Sequence, residues 1–137
     1  MLASAFEEFA TRDETTIFAS GVSNSLEKDQ AAFSREEALL NAVLENYPAS
    51  RLVYFSTYSI IYKKSPYTEH KQRMEKLVLT NNPNALVLRV TNVVGKSKNP
   101  NTLLNFLSAR ISQKIPVTIQ QGVKRNPVCL LYTSRCV

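Results

Sequence analysis

The sequence predicts an α/β domain built on a parallel sheet, and three observations predict it. Short apolar runs rich in β-branched residues alternate with longer segments of helical periodicity. Two of these runs, residues 51–55 (RLVYF) and 85–90 (ALVLRV), are apolar on both faces, as a strand covered on both sides requires. The joints between runs are short and marked by glycine, proline or asparagine. The 137 residues suffice for one such domain with right-handed crossovers.

The elements follow in order. Residues 1–10 read as a helix, with Leu2, Ala3, Phe6 and Phe9 on one side and Glu7 and Glu8 on the other. Residues 15–19 (TTIFA) are a strand that turns at Ser20-Gly21. Ser34 with Glu37 forms a capping box that opens a helix inward-facing through Ala38, Leu39, Ala42, Val43 and Tyr47 and closed by Pro48. After the strand at 51–55, Pro66 starts a helix over 67–80. The strand at 85–90 ends in a turn containing Asn92 and Gly95. A helix over 101–114 faces inward through Leu103, Leu104, Leu107 and Ile111, and residues 116–120 form a last short strand. This assigns residues 1–122 to a Rossmann-like domain and 123–137 to an irregular tail. Ligands of open parallel sheets bind beyond the carboxyl ends of the strands, where residues 20–22, 56–59 and 92–95 would lie.

Composition narrows the function classes. Apolar residues at 44% and charged residues at 20% suit a globular core rather than disorder. No apolar run approaches the roughly 20 residues that span a bilayer, and the N-terminus lacks the basic start of a secretory signal. Cys129 and Cys136 have no partners at metal-ligand spacing, and His70 is the only histidine. A reduced, cytoplasmic protein without metal and without a membrane partner is expected. All 11 acidic residues lie in 1–75, whereas 76–137 carries 9 basic ones. Such one-sided charge points to an anionic ligand. A nucleic acid is the weaker choice, because no basic run exceeds two residues and no aromatic-rich basic motif accompanies it.

Tyr67 and Lys71 stand one turn apart at the start of a helix, on one face. A phenol with an ordinary pKa of about 10 becomes a usable acid or base when a nearby ammonium and a helix N-terminus lower that value. It can then exchange a proton with an alcohol or sugar oxygen while hydride moves to or from a nicotinamide. Chance alone gives about 0.4 Tyr-x-x-x-Lys matches in a chain of this composition, so the pair needs context. Without context it reads as a surface ion-spaced pair. His70 points to another face of the helix and reads as a surface residue. Arg89, in a strand expected to be buried, requires a partner or an anionic ligand.

The context is a resemblance. The segments LVYFSTYSIIY, SPYTEHKQRMEKLV and ALVLRVTNVVG, in this order, resemble three landmarks of the extended short-chain dehydrogenase/reductases, the NAD-dependent epimerase/dehydratase family that acts on nucleotide sugars. The similarity covers roughly residues 1–115. It implies Tyr67 as acid/base, Lys71 as the residue that lowers its pKa and holds the cofactor ribose, and Thr57 or Ser56 as the hydroxyl on the substrate oxygen. Ser59 is a weaker candidate for that hydroxyl and a substrate contact. Ser20, Gly21 and Val22 would pass the NAD or NADP cofactor, and Thr91 and Asn92 would lie near nicotinamide and substrate. The resemblance further implies a nucleotide-sugar-like ligand and a homodimer through helices 34–47 and 67–80.

The family's Gly-x-Gly-x-x-Gly turn has no counterpart, since Gly21, Gly95 and Gly122 are the only glycines. MLASAFEEF is similar to the helix after that turn, with Ala3 at its third small position. The expectation is a fragment truncated at both ends, with impaired activity. The rival functions are a non-catalytic nucleotide-binding or redox-sensing relative and, last, a basic nucleic-acid binder.

Overall fold

The computed structural model describes Phe6 and residues 14–94, 103–118 and 128–130. The chain divides into two compact units, Met1–Val90 and Thr91–Val137.

The first unit is a three-stranded parallel sheet with helices on one face. Its elements are β1 (Thr15–Phe18), α1 (Gln30–Asn46), β2 (Arg51–Thr57), a 3-10 turn (Tyr58–Ile61), α2 (Pro66–Asn81) and β3 (Leu86–Val90). The sheet order is β1-β2-β3. Thr16 pairs with Leu52 and Phe18 with Tyr54, while Tyr54 pairs with Val87 and Ser56 with Arg89. Side chains alternate along a strand, so Phe18, Leu52, Tyr54, Ser56, Val87 and Arg89 share one face. α1 and α2 cover that face: Leu40, Met74 and Val78 close a core with Phe18, Leu52 and Tyr54. Consecutive parallel strands, each reached through a helix, make the fold Rossmann-like.

Sequence and structure differ in instructive places. α1 begins four residues before Ser34, because Asp29 caps it: its carboxylate accepts from the Ala31 amide at 2.9 Å. Ser34 is therefore an exposed mid-helix residue rather than a cap. The earlier start also rotates the buried stripe, which is Phe33, Glu36 and Leu40; Ala38, Leu39 and Ala42 face outward. α2 starts at Pro66, as expected, behind a capping box between Ser65 and Thr68. β3 is not a buried strand: Leu86, Leu88 and Arg89 are exposed. The helix expected over 1–10 falls outside the described residues, although the Phe6 ring meets Phe55 with centroids 5.4 Å apart.

The second unit holds β4 (Asn92–Val94), α3 (Leu103–Ser112) and β5 (Val128–Leu130). β4 and β5 pair in parallel, Asn92 opposite Val128. Asn92 thus opens a strand where a turn was expected, and β5 places regular structure in the stretch read as an irregular tail. Of the strand expected over 116–120, residues 116–118 have no regular structure, and residues 119–120 lie outside the described ones. Two residues beyond α3, Lys114 has a left-handed φ of 55°. The Ile115 amide donates to Arg110 and the Lys114 amide to Ile111, the two bonds of a Schellman ending. Ile111, expected inward, is 72% exposed.

Candidate active site

The carboxyl edge of β1 and β2 gathers candidate side chains of the first unit. β1 ends into the turn 19–22, β2 ends at Thr57, and α2 begins beside both. The Thr57 side chain caps the 3-10 turn by accepting from the Ser59 amide at 3.2 Å, which fixes its hydroxyl at the strand end. Tyr67 sits in the first turn of α2, 7% exposed, packed with Val22 and Phe33. The Thr57 hydroxyl lies near enough to the Tyr67 phenol to bear on its acidity.

The Tyr67 phenol is pushed up to about 12. Burial is the main cause, the Thr57 contact pulls the other way, and the Glu36 carboxylate adds to the rise. Tyr67 is therefore a neutral phenol, a proton donor and not a phenolate. Lys71 does not lower its pKa, because the ammonium is engaged elsewhere. Lys71 Nζ donates to Glu36 Oε1 at 2.8 Å and to the Tyr54 hydroxyl at 3.2 Å. It also lies 5.1 Å from the Tyr54 ring centroid.

Glu36 is the centre of this arrangement, with no exposed surface. Oε1 accepts from Lys71 and from Tyr54 Oη at 2.7 Å, and Oε2 accepts from the Val22 amide at 2.7 Å and from His70 Nε2 at 3.0 Å. A carboxylate only accepts, so the His70 Nε2 carries the proton. Burial by itself raises the Glu36 pKa. The His70 hydrogen bond, the Lys71 charge and hydrogen bond, and the Val22 amide outweigh it and bring it to about 2. Burial depresses the Lys71 ammonium, against the support of Glu36 and Glu75. The Tyr54 phenol is driven far above its ordinary range by burial and by the Glu36 charge. Gly21 closes over the cluster: a Cβ there would stand 2.7 Å from both Glu36 Oε1 and Lys71 Nζ.

The other sequence candidates are placed as follows. Ser56 is buried on the helix face, and its Oγ is one of two buried side-chain atoms without a hydrogen-bond partner among the described residues; the other is His70 Nδ1. Ser56 nonetheless lies near enough to Glu75 to help hold that carboxylate below its ordinary value, against burial and alongside Arg89. Ser59 Oγ shares a hydrogen bond with Tyr62 Oη at 2.9 Å. Ser20 is exposed in the turn after β1. Thr91 and Asn92 belong to the second unit. Arg89 grips Glu75 through two bonds of 2.9 and 2.7 Å, so its partner is a carboxylate of α2. His70, read as a surface residue, is wholly buried and stacked on Phe33 with centroids 4.6 Å apart. Glu36 and Tyr54 were missed in the sequence. The signal for Glu36 was a carboxylate spaced three and four residues from Phe33 and Leu40 on one apolar stripe.

The fold is shared with two solved structures. One is a dTDP-glucose 4,6-dehydratase from Bacillus anthracis str. Ames in complex with NAD, 16% identical, with a TM-score of 0.64 over 96% of this chain and 47% of that one. The other is a thiolation-reductase di-domain from an archaeal non-ribosomal peptide synthetase, 16% identical, with a TM-score of 0.56 over 80% of this chain and 39% of that one. This chain spans less than half the length of either. No family model and no curated protein matches the sequence. Among the described residues, no helix is long and apolar enough to cross a membrane.

Proposed function

We propose that this chain carries the catalytic half of a nicotinamide-dependent enzyme that reduces, epimerises or dehydrates a nucleotide sugar. The observation that carries the reading is Tyr67: a buried neutral phenol set on Thr57 at the carboxyl edge of a parallel sheet, where ligands of such sheets bind. The dehydratase that shares this fold binds NAD.

The residues present fit the nicotinamide-ribose end of such a cofactor. Gly21 brings the backbone of the turn directly onto Lys71, with no room for a side chain between them. Lys71 gives two of its three N–H groups to Glu36 and Tyr54 and retains one for the ribose hydroxyls. Ser20 and Val22 are assigned to the cofactor's path. The sequence has no Gly-x-Gly turn for the pyrophosphate. When bound, the nicotinamide exchanges hydride with the sugar carbon.

Tyr67 does the proton work. As a phenol it donates its proton to the carbonyl oxygen that gains charge on hydride arrival. Thr57 donates to the phenol oxygen, which stabilises the phenolate left behind. Val22 and Phe33, packed on the Tyr67 ring, exclude water from that side. Ser59, inside the 3-10 turn that Thr57 caps, is assigned as a substrate contact. A homodimer through α1 and α2 belongs to the same reading, with Ala38, Leu39 and Ala42 as the outward apolar residues.

The test is transfer of deuterium from deuterated nicotinamide dinucleotide to a keto form of a nucleotide sugar. Tyr67→Phe should abolish transfer and leave cofactor affinity unchanged. Transfer at the wild-type rate would remove Tyr67 from its role. Cofactor binding with no transfer from any nucleotide sugar would favour the non-catalytic reading instead.

A further inference from the structure

Glu36 takes no part in the proton transfer described above, yet it is the most heavily used polar group of the first unit. Burying a carboxylate on an apolar helix stripe is costly unless it is fully bonded. Stability alone does not explain its presence, because a buried ion pair can often be replaced by apolar residues without loss. What distinguishes Glu36 is where its four partners come from. The Val22 amide belongs to the turn after β1, Tyr54 to β2, and His70 and Lys71 to α2. The turn and Lys71 are the two features of this edge assigned to the dinucleotide.

We propose that Glu36 is a positioning residue that locks the Gly21–Val22 turn and the Lys71 ammonium into one unit, so that the dinucleotide meets both at a fixed separation. A neutral amide at this position could not replace it. Lys71 is 2% exposed, and only a full negative charge keeps an ammonium protonated there. Gly21 seals the unit, since any side chain would push on Glu36 and Lys71 together. The groups facing Lys71 are Glu36 from α1, Tyr54 from β2 and Glu75 from α2, with His70 of α2 on the other oxygen of Glu36. The dinucleotide rests on the functional reading above, whereas the coupling of turn to lysine rests on the geometry by itself.

The test uses the full chain, NADH as the probe, and four variants: Glu36→Gln, Glu36→Asp, Lys71→Met and the double variant Glu36→Gln/Lys71→Met. The double variant removes both charges and guards against a fold lost through one unpaired ion. NADH affinity is measured by fluorescence between about pH 6 and pH 9, on either side of neutrality and below the ordinary lysine value. Amide hydrogen exchange is followed in residues 19–24. Each single charge-removing variant should weaken NADH binding roughly tenfold, with the double variant no weaker than the worse single one. Glu36→Asp should restore most of the loss. Affinity of Glu36→Gln should fall as pH rises and Lys71 loses its proton, while the wild type stays level. Lys71→Met should speed exchange across residues 19–24. Additive losses in the double variant, or exchange at 19–24 indifferent to Lys71→Met, overturn the proposal. A wild-type chain that binds no NADH refutes the functional reading, and the exchange rates then decide the coupling on their own.

Discussion

The ionised Glu36 cluster should make the fold sensitive to acid. The Glu36 carboxyl has an ordinary value of 4.5 and is held at about 2 in the folded chain, with burial opposing and His70, Lys71 and Val22 prevailing. The folded value is the lower one, so the carboxylate stabilises the fold above pH 4.5, and that stability is lost as pH falls toward 2. The drop corresponds to roughly 3 kcal/mol. Glu75, also held down, contributes in the same direction and must be subtracted. The comparison is therefore between wild type and Glu36→Gln/Lys71→Met, which removes both buried charges and leaves Glu75 in place. Urea unfolding at steps between about pH 7 and pH 2 gives the two curves, a range in which lysine stays protonated in the unfolded chain. The wild type should lose about 3 kcal/mol more than the double variant over this range. Parallel curves would show that Glu36 is not an ionised, fully bonded carboxylate in the folded protein.

Further outcomes follow from the packing. Gly21→Ala drives a methyl to 2.7 Å from Glu36 and Lys71, and should cost about 1–3 kcal/mol in urea unfolding, as overpacked sites do. Leu40→Ala empties the centre of the α1–α2–sheet core and should cost about 2–5 kcal/mol, read as a lowered denaturation midpoint. Arg89→Met removes a half-exposed partner from Glu75 and should cost about 1 kcal/mol or less in the same assay. The homodimer proposed above predicts that Leu39→Arg, on the outward face of α1, lowers the sedimentation coefficient and leaves the melting temperature nearly unchanged.

The strands were legible in the sequence because β-branched, apolar runs bounded by turn residues have few other uses. TTIF, RLVYF and LVLRV all became neighbours in one parallel sheet. Tyr67 was legible as well, since Ser65-Pro66 fixes the start of α2 and hence the turn on which the tyrosine stands. The phase of α1 was not. Ala38, Leu39 and Ala42 imitate a buried stripe, and only the cap at Asp29 and the packing of Phe33 on Tyr67 reveal that the helix starts earlier and turns Glu36 inward. That misphasing hid the cluster. Lys71 was assigned to Tyr67 by proximity in sequence, whereas a buried carboxylate two elements away outcompetes a phenol for an ammonium. His70 was misjudged for the same reason, because its partner could not be seen. β5 escaped because a three-residue strand carries no periodicity.

The most direct measurement is a nitrogen-edited NMR titration of the protein with NADH. If the carboxyl edge of β1 and β2 is the nicotinamide site, the amides of residues 19–22, 56–58 and 67–71 shift together along one saturable curve. Shifts confined to α3, or to the outer groove between α1 and α2 lined by Gln30, Gln72, Arg73 and Lys76, would contradict the assignment.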